Sequence, residues 1–88
     1  MLTELQQTTL CDVLRTAGLK ERQIEDVLLL LRFKPHRVQL AFYYRAQGMT
    51  FEQVASIMDI SNMQAWKYVM VNCTDIHDYI KHPIYQKV

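Results

Sequence analysis

The chain has 88 residues and a formal charge of +1; half of its residues are hydrophobic, with only two Gly and two Pro. That length allows one domain with a modest core, and so little Gly and Pro favours long helices over turn-rich sheet or disorder. The near-neutral balance argues against a protein that gains its affinity mainly from phosphate neutralisation, so the distribution of charge matters more than its sum.

The first predicted helix runs from Thr3 to Ala17, with Leu5, Leu10, Val13, Leu14 and Ala17 on one stripe and Gly18 placed to take a positive φ at its end. A second, from Lys20 to Phe33, carries Ile24, Val27, Leu28 and Leu31 on one stripe. Leu29 and Leu30 widen that stripe, so the helix is expected to be heavily buried. Pro35 stops it and suits the first turn of a third helix, expected from Pro35 to Gln47 and closed by Gly48.

Thr50 and Gln53 have capping-box spacing ahead of Val54, Ala55, Ile57 and Met58, and Ser61 with Gln64 repeats the device. Two boxes so close predict a short helix, a tight turn and a new helix. Asp59 is expected in the left-handed conformation at the turn, with Ile60 plugging the elbow. The fifth helix is expected to continue through Ala65, Tyr68, Val69, Asn72, Cys73, Ile76, Tyr79 and Ile80 to Pro83, followed by a loose tail at 82–88. The expected fold is therefore all-α: about five helices in one domain, with buttressing helices at 1–33 and a helix-turn-helix unit at 34–81.

The segment "KPHRVQLAFYYRAQGMTFEQVASIMDISNMQAWKYV" resembles the helix-turn-helix in the fourth conserved region of sigma-70 family factors, and the small sigma-like regulators of phages and mobile elements. Pro35 and Arg37 match the opening of the preceding helix, and Phe42, Tyr43 and Tyr44 its apolar-aromatic run. Gly48-Met49-Thr50 matches the Gly-Leu-Ser/Thr connection, Glu52, Val54 and Ala55 match "x-E-I-A", and Met58-Asp59-Ile60-Ser61 matches Leu-Gly-Ile-Ser with Asp replacing Gly. Ala65 and Val69 take the buried places of the recognition helix. The resemblance implies a small DNA-binding transcriptional regulator akin to the part of a sigma factor that reads the −35 element. A chain of this length is expected to lack the domain that melts promoter DNA. Leu19 to Phe33 also reads like the helix before such a motif, but no Gly-x-Ser/Thr step follows it, which leaves a packing helix.

With Ala65 and Val69 facing the core, the outward face reads Asn62, Met63, Trp66, Lys67, Met70 and Thr74. For DNA, Asn62, Met63, Trp66 and Lys67 would meet the groove while Lys34, Arg37 and Arg45 hold phosphates, two copies reading half-sites a helical turn apart. The basic residues also admit a plainer reading, as a solvated helix surface. Alternatively, Met63, Trp66 and Met70 form an apolar patch that binds a second copy, RNA polymerase or another regulator. A third reading has helices one and two folding over that stripe and burying it.

Other chemistry is sparse. Cys11 and Cys73 have no partners at metal-ligand spacing and read as buried small hydrophobes without disulfide or zinc. His36, His77 and His82 are scattered and read as surface histidines. Glu25-Asp26 and Asp75 with Asp78 read as solvated faces, since no nucleophile, phosphate cradle or metal partner accompanies them. No enzyme activity or cofactor is expected. The longest apolar run, Val27 to Leu31, is too short to cross a bilayer and no signal peptide is evident, which predicts a soluble cytoplasmic protein with no membrane partner.

Overall fold

The computed structural model describes residues 1–80, and every described element is helical. The order is α1 (Glu4–Thr16), α2 (Glu21–Arg32), α3 (His36–Ala46), α4 (Phe51–Met58), α5 (Asn62–Trp66), a π-helical segment (Lys67–Val71) and α6 (Thr74–Ile80). The expected Pro83 stop, His82 and the tail at 82–88 lie outside the described residues. No helix among the described residues is long and apolar enough to cross a membrane.

Local chemistry places most helix ends. Thr3 and Thr50 each accept a hydrogen bond from the N–H three residues on, and Gln6 and Gln53 Oε1 each accept one from the N–H of the cap residue. At Ser61 only the forward half of the expected box forms, with Gln64 N–H donating to Ser61 Oγ at 3.1 Å. Gly18, at φ 102°, closes α1 in a Schellman turn, its own N–H bonding Arg15 O and the Leu19 N–H bonding Leu14 O. Asp59 does the same for α4 at φ 56° and ψ 51°, with Ile60 N–H donating to Ala55 O at 3.0 Å.

Two apolar clusters share α3. The larger gathers Leu2, Leu10, Leu14, Leu19, Ile24, Val27, Leu31, Val38, Phe42, Ala46, Cys73 and Ile76. The smaller gathers Ala41, Val54, Ala55, Ala65 and Val69, with Ile60 packed against it as expected. Cys73, just before α6, and Ile76 within it join the first cluster, so the C-terminal helix packs chiefly against α2 while staying in contact with the π-helical segment.

The expected continuous fifth helix is broken. Asn72 N–H reaches back five residues to Lys67 O at 3.0 Å, and Asn72 Nδ2 donates to the same carbonyl at 2.9 Å. Cys73 Sγ–H bonds Tyr68 O, and Thr74 Oγ1 bonds Val71 O at 2.8 Å. Short polar side chains at three successive positions thus compete for carbonyls that an α-helix would use, and a π-turn inserts one residue. The insertion lets Ala65 and Val69 face one cluster while Cys73 and Ile76 face the other. It also carries Asn72 and Tyr79, both expected on the buried stripe, to the surface.

Burial departs from periodicity elsewhere too. Leu5 and Leu29 belong to the expected stripes of α1 and α2 but are exposed, and Leu2 enters the core in place of Leu5. His77, read as a surface residue, is half-buried and donates from Nε2 to Val69 O at 2.9 Å. Cys73 is buried as expected, but Cys11 only partly so, and both are free thiols.

Candidate functional site: the outward face of α5

α4 and α5 are joined by the three residues Asp59, Ile60 and Ser61, and Val54, Ala55 and Ala65 bury the seam between them. Small side chains at Ala55 and Ala65 let the helices approach, while the left-handed Asp59 reverses the chain within one residue. The next turn is held down by Val69, so Asn62, Met63, Trp66 and Lys67 all point outward.

Met63 is 61 % exposed and Trp66 41 %, so α1 and α2 do not cover this stripe, and the reading that buries it is incorrect. Those helices pack on the other cluster instead. Met70 separates from its expected companions: it is half-buried against the smaller cluster, and the π-turn brings Val71 to the surface in its stead.

Phe51, which sequence reasoning had not selected, joins Asn62, Met63 and Trp66 around an open, largely apolar groove of about 390 Å³. Its signal was weak: it is the first residue of α4, immediately after the Thr50 cap, and only the angle between α4 and α5 brings it to Trp66. Arg45 lies behind it, its guanidinium carbon 4.9 Å from the Phe51 ring centroid and Nη1 donating to Met49 O at 2.8 Å. Both contacts fix the α3–α4 connection and orient the groove wall.

The expected phosphate-holding residues therefore divide. Arg45 is half-buried and engaged with Met49 and Phe51. Lys34 forms a salt bridge with Asp75 at 2.9 Å, which ties the α2–α3 connection to α6. Arg37, in the first turn of α3, and Lys67 are exposed and enter no salt bridge among the described residues. Among those residues no three His, Cys, Asp or Glu side chains converge as metal ligands. No protein-family model, curated protein or solved structure matches this chain.

Proposed function

We propose that the protein is a small helix-turn-helix transcriptional regulator that binds duplex DNA through the outward face of α5. What carries this reading is the α4–α5 pair itself: two Ser/Thr-capped helices, a three-residue turn opened by the left-handed Asp59, and a second helix anchored by Ala65 and, in the π-helical segment that continues it, by Val69. That arrangement leaves Asn62 and Lys67 to hydrogen-bond base edges and Met63 and Trp66 to meet apolar groove atoms such as thymine methyls. Arg37 supplies a phosphate contact.

With Arg37 as the phosphate contact of this face, the logarithm of affinity should fall with the logarithm of salt at a slope of about 1 per copy. Anisotropy titration of promoter duplexes at low salt tests this. Lys67→Ala and Arg37→Ala should each weaken binding, Lys67→Ala by relaxing base specificity and Arg37→Ala by lowering the salt slope by about 1. Absent binding, or binding indifferent to both substitutions, overturns the DNA reading.

A second reading keeps the same fold and turns α5 toward a protein partner such as RNA polymerase or another regulator. It is favoured by the groove of Phe51, Met63 and Trp66 and by the internal engagement of Lys34 and Arg45. An exposed Trp beside Met is a common interface anchor. Here Trp66→Ala abolishes capture of the partner while Lys67→Ala does not, whereas DNA binding should weaken with either substitution.

A further inference from the structure

The exposed side of α2 carries an apolar surface unrelated to α5. Glu25, Leu28, Leu29 and Arg32 follow one another at i, i+3, i+4 and i+7 and so share one helical face. They line an open groove of about 280 Å³ whose far wall is Met1, Leu2 and Gln7. Leu29 is 52 % exposed, and Phe33, at the end of the same helix, 81 %. Glu25 and Arg32 are both exposed and enter no salt bridge among the described residues.

This face has acid at one end, base at the other and leucine between, and the two charges lie equidistant from the midpoint between Leu28 and Leu29. We infer that it is a self-complementary surface on which a second copy of this chain docks, α2 against α2 in antiparallel orientation about a two-fold axis near that midpoint. In that pairing Glu25 meets Arg32 of the partner subunit at both ends of the contact, about 10 Å apart along the helix. At the centre, Leu29 of the partner subunit enters the groove beside Leu28. A parallel pairing would oppose Glu25 to itself and Arg32 to itself, which like-charge repulsion disfavours. A charge-balanced face is also a poor match for DNA or an anionic membrane. Closure about a two-fold buries the face once on each copy, and no residue lining it belongs to α5. The inference does not depend on what α5 binds.

Sedimentation equilibrium of the full chain over a concentration series tests it, with circular dichroism confirming that each variant is folded. The wild type should show a monomer–dimer equilibrium. Glu25→Arg and Arg32→Glu should each raise the dimer dissociation constant by about tenfold. The double variant Glu25→Arg/Arg32→Glu should return it to near the wild-type value, because the swapped charges again oppose. Trp66→Ala should leave it unchanged. A chain that stays monomeric at millimolar concentration overturns the inference. So does a dimer indifferent to the α2 charges, a double variant that fails to recover, or a dimer abolished by Trp66→Ala alone.

Discussion

Lys34 Nζ lies 2.9 Å from Asp75 Oδ1, joining the α2–α3 connection to the first turn of α6 across a sequence separation of 41 residues. Burial alone would raise the Asp75 carboxyl, but the hydrogen bond and charge of Lys34, with the Ile76 N–H, more than offset it. Asp75 therefore titrates below its ordinary value of 3.8. The bridge links the basic middle of the chain to its acidic stretch, turning an uneven charge distribution into a tertiary clasp.

A group whose folded pKa is depressed contributes stability above its unfolded pKa and loses it as pH falls through the folded value. Asp75→Asn keeps an acceptor for the Ile76 N–H and removes the charge. With Asp75 nearly half-exposed, the loss near neutral pH should be on the order of 1 kcal/mol or less. In urea melts the gap between wild type and variant should stay constant from neutral pH down to about 5 and close as pH falls below 3.8.

Gln39 is buried in α3 and its carbonyl accepts the Leu2 N–H at 3.1 Å, while its amide donates to Lys34 O at 2.9 Å. It thus holds the N-terminal strap and the α2–α3 connection to one helix. Gln39→Leu fills similar volume but strands both backbone groups, and should destabilise the fold by about 1–3 kcal/mol. Equilibrium denaturation gives the magnitude. Faster hydrogen exchange at the Leu2 amide would identify the strap as the part released.

Asp59 is the one described non-glycine residue at positive φ. Asp59→Gly should hold or raise stability, since glycine adopts this conformation without a Cβ penalty. A β-branched Asp59→Val should cost about 1–2 kcal/mol and loosen the α4–α5 pair. Thermal melts rank the three proteins. Equal stability of the Gly and Val variants would mean that the turn does not set the helix pairing.

Burial pushes the Cys73 thiol up to about 12, so at pH 8 it holds almost no thiolate and is shielded as well. Cys11 is also raised by burial, but it lies only half-buried on α1. A disulfide reagent at pH 8 should modify Cys11 alone in the folded protein and both thiols in denaturant, as read by mass spectrometry.

The chemistry of helix ends was legible in the sequence because its causes lie within three or four residues. The Thr3 and Thr50 boxes, the turns at Gly18 and Asp59 and the break before Pro35 sit where expected, and so do Ala65 and Val69. With them came the outward placement of Asn62, Met63, Trp66 and Lys67.

Contacts between residues far apart in sequence decided the rest. A π-turn differs from an α-turn by one shifted hydrogen bond, and it prevails here because Cys73 and Ile76 gain a core that α1, α2 and α3 build. That shift moved Met70 inward and Val71 outward. Whether Lys34 and Arg45 were free cations depended on Asp75, Met49 and Phe51 arriving beside them. Likewise, the apolar stripe of α2 is wider than the core it packs on, so Leu29 and Phe33 stay exposed. Helical periodicity shows that a face is apolar, whereas only the packing of the whole chain shows whether that face is covered.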